Sequence, residues 1–287
     1  ASTNSFLGIK EFPLDTKYPM MIGYCFVRLD DTIEDDLNLS RDEEGIKKKK
    51  NLMALLVENM EVNSPRKARK FYRELSKLKL KESKFNFLIS NVRSVFKAYH
   101  AFDPKIKEII YKRIREQSEG LASKYIQDIQ SFQDYREYGH NSVGVIGNMI
   151  AELLHATGRL SKSALEKVIT DEKTIRPGVN PAHDYGMTLQ IFNDLRDFQE
   201  DFQNNIYKWP GMLFRERGMT YKDLAKLSRQ DSEDKRIKAD GILEEMPSIE
   251  LIFPRHSFCA SRDAIPLYIL YFLEIWFEVI NNGVSSI

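Results

Sequence analysis

The stretch RLDDTIEDD (28–36) packs five carboxylates into seven positions, Asp30 to Asp36. The segment before it, YPMMIGYCFV (18–27), is apolar and reads as the inner part of a helix. Crowded carboxylates repel, and burying them is costly unless something positive lies between them. The stretch is therefore either a solvated helix end or half of a cation site. A second cluster, FNDLRDFQED (192–201), lies far downstream. There Asn193, Asp197 and Asp201 fall at i, i+4 and i+8, on one helix face and about 6 Å apart along the axis. Asp31 and Asp35 repeat the i, i+4 spacing. Two helices facing each other across a cavity would bring five oxygen ligands to a shared space. Mg²⁺ prefers oxygen ligands, keeps several waters and binds through a few carboxylates plus substrate phosphates. One cluster in a chain with 42 acidic residues says little. Two, each ending an apolar helical stretch, point to Mg²⁺ held for a diphosphate. Arg28 and Arg196 lie beside the clusters, either as solvated salt-bridge partners or as groups that clamp phosphate and orient the carboxylates.

The elements that must position these groups read as helices. Period-two runs of Val, Ile and Thr are missing, as are hairpin turns between such runs. Helical spacing recurs instead. FNFLISNVRSVFKAYHAF (85–102) puts Phe85, Leu88, Ile89, Val92, Val95 and Phe96 on one stripe, and YGMTLQIFNDLRDFQEDF (185–202) does so with Met187, Ile191, Leu195 and Phe198. Breakers separate such segments at Pro65, Pro104, Pro177–Gly178, Pro181, Pro210–Gly211 and Pro247. KKKK (47–50), KLKLKESK (77–84) and RQDSEDKRIKADG (229–241) read as solvated turns or helix faces. The expected architecture is one all-α domain over residues 1–287, larger than a four-helix bundle.

A chain of 287 residues, 42% hydrophobic and 30% charged, has ordinary globular composition and can bury a large core. Its net charge of +1 gives no broad case for nucleic acid. Two cysteines, Cys25 and Cys259, make no disulfide framework. IPLYILYFLEIWFEVI (265–280) is shorter than the roughly 20 residues of a membrane span and carries two glutamates, so it reads as a buried terminal helix. No signal peptide is recognisable, and without an initiator Met the natural chain is expected to begin upstream. The expected location is the cytoplasm, with a membrane surface as the second option. The expected state is monomer or homodimer. His140 and His155 read as structural histidines, since an oxygen-rich site has no need of imidazole.

These motifs resemble the squalene/phytoene synthase family, its eukaryotic squalene synthase branch most. TNSFLGIKEFP (3–13) is similar to the family's opening segment and VRLDDTIEDD (27–36) to its first aspartate-rich motif. SEGLASKY (118–125) and YGHNSVGVIG (138–147) resemble its middle helices. LQIFNDLRDFQED (189–201) with NNIYKWP (204–210) resembles its second motif and the segment after it, and FCASRDAIP (258–266) a later core helix. The resemblance implies an all-α isoprenoid synthase fold, of the class I terpenoid synthase kind, as one multi-helix domain around a central cavity. It implies farnesyl-type diphosphate substrates and a cluster of three Mg²⁺ ions with bound diphosphate, held by Asp31, Asp35, Asn193, Asp197 and Asp201. It places Arg28, Arg196, Tyr138 and Asn141 at catalytic positions, and Lys124, Tyr207 and Lys208 at substrate.

Two positions depart from the family. Asn4 stands where the opening segment carries Arg, and Asn141 stands where the family has a catalytic Tyr, although Tyr138 survives. Asparagine has no phenol to move a proton, and no charged fork for a second diphosphate. Both losses fall on groups that joining two substrates needs, whereas ionising one diphosphate needs only the metal motifs. An allylic cation would then form in a dry pocket, where aromatic faces stabilise it by roughly 0.5 to 2 kcal/mol each. Tyr24, Phe26, Phe192, Phe258 and Trp276 are candidates to line that pocket, with plain core packing the alternative for each. The leading expectation is therefore a Mg²⁺-dependent sesquiterpene cyclase acting on farnesyl diphosphate without NADPH, humulene-type chemistry included. The alternative is head-to-head condensation to squalene, dehydrosqualene or phytoene. A non-catalytic assembly factor is the third reading, disfavoured because the metal carboxylates are kept.

Overall fold

The computed structural model describes residues 9, 12–34, 43–77, 83–123, 129–169, 180–203, 206–226, 233–235, 237, 238 and 242. The expected terminal helix at 265–280 lies outside the described residues, as do Asn4, Asp35, Lys124, Phe258 and Trp276. Among the described residues the regular structure is helical, with no strand. No helix among them is long and apolar enough to cross a membrane. The chain divides into two compact units, Ala1–Ser123 with Asn148–Arg159, and Lys124–Gly147 with Leu160–Ile287.

The first unit holds α1 (Leu14–Glu34), α2 (Glu43–Glu61), α3 (Pro65–Leu75), α4 (Ser83–His100), α5 (Pro104–Ser123) and most of α7 (Val145–Ala156). Prolines open rather than interrupt three of the chain's helices: Pro65, Pro104 and Pro181 each stand first, where the missing N–H has no helical partner to lose. Ser64 caps α3, its side chain accepting from the Lys67 N–H. In α1, Met20, Gly23, Val27, Asp30 and Ile33 are buried at a three-to-four-residue rhythm, the inward stripe of a helix. That stripe packs on α4 and α5. Phe26 meets Phe96 and Tyr99 edge to face, with ring centroids 5.0 and 5.4 Å apart, and Phe71 of α3 meets Phe96 at 6.0 Å. Each such buried ring contributes about 1.5–3 kcal/mol by area alone, and the edge-to-face pairs add roughly 0.5–1.5 kcal/mol apiece. The expected stripe of α4 is buried at Val92, Val95 and Phe96 and half-buried at Leu88 and Ile89. Arg113 of α5 is buried and makes a two-pronged contact with Glu152 of α7, Nε to Oε2 at 2.8 Å and Nη2 to Oε1 at 2.7 Å.

The second unit holds α6 (Phe132–Gly139), a π-helical turn (His140–Gly144), the first residues of α7, α8 (Lys162–Val168), α9 (Pro181–Gln203), α10 (Gly211–Glu216) and α11 (Tyr221–Ala225). The division of units falls inside α7, between Gly147 and Asn148, and not at a linker. Ser131 and Asp134 form a reciprocal capping box at the start of α6. The N-terminal half of α9 lies backbone to backbone against the π turn and the start of α7. A Cβ on Gly147 would sit 1.8 Å from the Ala182 carbonyl oxygen, and one on Gly186 would sit 2.3 Å from that of Val143. Only glycine permits this approach.

Candidate active site

The first aspartate-rich motif ends α1. Asp31 is half-buried and accepts from Arg28 Nη1 at 2.8 Å and from Gln117 Nε2 of α5 at 3.3 Å. Arg28 thus reaches the carboxylate that the sequence marks as a candidate metal ligand, three residues along the same helix, and holds its orientation. Asp30, one residue earlier, points the other way. It is wholly buried, and Ser118 Oγ donates to one of its carboxylate oxygens while the other has no hydrogen-bond partner among the described residues. Burial pushes its pKa well above the usual carboxylate range; the Ser118 hydrogen bond opposes this and the charge of Asp31 adds to it. Asp30 is therefore a buried acid that shares α1's inward stripe, while Asp31 is the member of the pair that faces outward. Of the aromatic candidates here, Tyr24 is half-buried, and Phe26 has no exposed surface and packs within the Phe96–Tyr99 cluster.

The second motif lies on α9. Asn193, Asp197 and Asp201 keep the i, i+4, i+8 rhythm within one unbroken helix, each half-buried. Asp201 lies 3.4 Å from Lys208 Nζ, both side chains about 15% exposed. Lys208 is thus placed beside a candidate metal ligand. Tyr207 next to it stacks obliquely on Tyr221 at 4.8 Å and on Phe202 at 6.2 Å. The side chains of Phe192 and Arg196 lie outside the described set.

Asp194 is to this motif what Asp30 is to the first. It continues the buried stripe of Met187 and Ile191, at the slot where a hydrophobic residue would ordinarily stand. Its carboxylate accepts from Tyr135 Oη at 2.7 Å and from Gln190 Nε2 at 2.8 Å, and its carbonyl oxygen from Trp209 Nε1 at 3.4 Å. Gln190 Oε1 in turn accepts from Ser142 Oγ of the π turn at 3.0 Å. Burial raises the Asp194 pKa to about 7, against the pull of Lys208, Tyr135 and Gln190. One buried acid therefore ties together α6, the π turn, α9 and the segment carrying Lys208. Tyr138, at the end of α6, is buried, and Asn141 is half-buried on the π turn. Such turns form where one extra residue is inserted in a helix, and they recur at functional sites.

Sequence reasoning missed Gln117, Ser118, Tyr135, Ser142 and Gln190. The signal that existed was positional: in each motif one acid falls on the apolar rhythm of its own helix and its neighbour falls off it.

The donors that the motifs present are carboxylate and amide oxygens, which suit Mg²⁺. Among the described residues, no three His, Cys, Asp or Glu side chains cluster closely enough to hold an ion unaided. The two motifs belong to different units and each stands by itself.

A family model described as Squalene/phytoene synthase matches residues 1–240. The chain belongs to the squalene/phytoene synthase family. That family is enzymatic, of prenyltransferase type. Botryococcus squalene synthase from Botryococcus braunii is 26% identical over 198 residues, covering 67% of this chain and 36% of its own. Squalene synthase ERG9 from Saccharomyces cerevisiae is 22% identical over 227 residues, covering 76% and 45%. Squalene synthase from Schizosaccharomyces pombe is 24% identical over 222 residues, covering 75% and 43%. The chain thus spans about two fifths of the length of these relatives. A solved complex of TcSQS with the ligand E5700 superposes with a TM-score of 0.62 at 19% identity, over 86% of this chain and 64% of that one. At that identity the likeness speaks for the squalene synthase fold alone, an all-α isoprenoid synthase fold.

Proposed function

We propose that the protein is a Mg²⁺-dependent enzyme that condenses two farnesyl-type diphosphates head to head, as a squalene synthase does. The observation that carries this reading is the pair of acid motifs, each with its ligand face turned off the buried stripe, in a chain whose named relatives are all squalene synthases. Asp31, Asp35, Asn193, Asp197 and Asp201 would hold the ions. Mg²⁺ supplies neutralisation of charge on the departing diphosphate. Arg28 orients Asp31, and Lys208 lies beside Asp201, so both cationic side chains stand ready to meet diphosphate oxygens. Tyr138 is the phenol that remains near the position where the family's tyrosine is replaced by Asn141.

One observation favours a second reading. Asn141 occupies the π turn at the family's tyrosine position, and an amide there has no proton to shuttle at neutral pH. On this reading a single farnesyl diphosphate ionises and cyclises to a sesquiterpene. The two readings also differ in NADPH. Squalene synthase uses it in its second step, whereas cyclisation needs no reductant.

Incubating the protein with farnesyl diphosphate and Mg²⁺, with and without NADPH, and analysing the extract by gas chromatography–mass spectrometry separates them. A C30 product supports condensation. A C15 hydrocarbon formed without NADPH replaces it with cyclisation. A diphosphate-binding protein with neither product refutes both.

A further inference from the structure

Five cations lie along one stripe of α3 and the turn that ends it: Arg66, Arg69, Lys70, Arg73 and Lys77. Their spacing of i, i+3, i+4, i+7 and i+11 confines them to about 100° of arc on a helix of 3.6 residues per turn. All five are exposed, and the opposite side of α3 is buried at Phe71 and Leu75. Like charges at i, i+4 destabilise a helix, and Arg66–Lys70, Arg69–Arg73 and Arg73–Lys77 are three such pairs. Acid relief is concentrated at one end. Glu74 meets Arg73 at 3.4 Å and Lys77 at 2.5 Å, while Arg66, Arg69 and Lys70 make no ion pair among the described residues. Arg93 of α4 adds to the surface, exposed and lying 4.9 Å over the Tyr72 ring. Residues 43–77 carry ten Lys or Arg against five Glu, in a chain whose net charge is only +1. Residues 43–77 therefore carry a local excess of positive charge.

We propose that this stripe seats the protein on an anionic membrane surface. A rigid, capped helix about 16 Å long presents a straight row of charge. That shape matches an extended anionic plane, not a single phosphate, which is gripped from several sides. The apolar neighbour on this rim is Val62, exposed in the turn that leads into α3, where a bilayer would meet it. Nucleic acid fits less well, because α3 offers no free aromatic face for a base: Phe71 is buried and Tyr72 lies under Arg93. The apolar face of α3 is committed to the core, so the contact is electrostatic and peripheral. Each Lys or Arg near an anionic leaflet raises partitioning by about fivefold, and the attraction fades beyond roughly 10 Å as salt screens it. None of the five residues is a candidate metal ligand or substrate contact, so this inference does not depend on which reaction the acid motifs support.

The test is flotation of the full chain with vesicles of phosphatidylcholine alone and with added phosphatidylserine, at low and high salt. The wild type should float with the anionic vesicles and be released by salt. The triple variant Arg66→Gln/Arg69→Gln/Lys70→Gln should bind them roughly a hundredfold more weakly. Its circular dichroism and product formation should be unchanged, since the three side chains are exposed. Equal flotation of variant and wild type overturns the proposal, as does a wild type indifferent to phosphatidylserine. Tighter binding to an RNA homopolymer than to the vesicles also overturns it and assigns the stripe to nucleic acid. A Glu triple variant serves as a second check, since charge reversal must weaken flotation further.

Discussion

The Tyr135 hydroxyl donates to the Asp194 carboxylate at 2.7 Å, and both residues are buried. The bond ties α6 to the helix that bears the second acid motif. Tyr135→Phe removes the donor and leaves a buried carboxylate oxygen without its partner. The expected cost is about 1–3 kcal/mol of unfolding free energy, read by urea denaturation. A change within about 0.5 kcal/mol would mean that the Tyr135 bond is replaceable by solvent and the network is not structural.

Gly186→Ala carries a prediction of unusual sign. Glycine to alanine inside a helix ordinarily stabilises by about 1 kcal/mol. Here the new Cβ would lie 2.3 Å from the Val143 carbonyl oxygen and 3.0 Å from the Gly144 Cα, which are backbone atoms that cannot swing aside. The substitution should therefore lower stability by about 1–3 kcal/mol or more, in line with overpacked cores. Thermal unfolding decides it: a variant that melts above the wild type would show that α9 can draw back from the π turn.

His100 supplies a pH dependence. Burial lowers its pKa below the ordinary histidine value, partly offset by the Nε2 contact to the Asn59 carbonyl at 3.1 Å and reinforced by Lys107. The unfolded chain therefore binds the proton more readily than the folded one. The contribution is fully present above the unfolded pKa of about 6.5, and is lost as pH falls through the lower folded value. His100→Gln keeps a side-chain donor without titrating. Stability of the variant should vary less with pH on the acid side of neutrality than that of the wild type. Parallel curves would rule His100 out as a source of the acid lability.

Much of the scaffold was legible because helical periodicity is written in burial. The prolines at 65, 104 and 181 fall between helical segments as expected, each proving to be the first residue of a helix, and Met187 and Ile191 lie on the inward stripe foreseen for α9. The acid motifs were found by spacing alone. What spacing concealed was the division of labour within them. Asp30 and Asp194 look like two more charges in a cluster. The partners that accept them in the core include Ser118 and Tyr135, which are remote in sequence, and Gln190, one turn before Asp194, which carries no signature of its own. The π turn was equally hidden. HNSVG holds no proline, and its one glycine does not announce a π turn; what the structure adds is the close approach of α9 at Gly186 to the backbone of Val143 and Gly144, a tertiary contact.

Asp31 and Asn193 test the metal reading. Asp31→Asn keeps a side chain that Arg28 and Gln117 can still contact through its oxygen, but it removes the charge that an ion needs. Asn193→Ala removes an oxygen donor. Each should lower turnover by at least about a hundredfold while leaving the circular dichroism unchanged. Calorimetry of pyrophosphate binding in the presence of Mg²⁺ should show weakened affinity in both. Treatment with a chelator should abolish activity and added Mg²⁺ should restore it. Full activity in the double variant would end the assignment of these motifs to metal.

Asn141→Tyr probes which reaction the π turn is built for. Tyrosine here restores the family's phenol at a half-buried position one turn beyond Tyr138. If condensation already proceeds in the wild type, the added phenol should raise C30 product severalfold without changing its identity, because the proton shuttle is supplied where the family has it. If the wild type cyclises, the single change should not yield squalene, because Asn4 still lacks the arginine charge for a second diphosphate. It should instead lower C15 output by crowding the turn. Squalene from the single variant of a wild type that makes only C15 hydrocarbon would show that the π turn alone sets the reaction and that position 4 is dispensable.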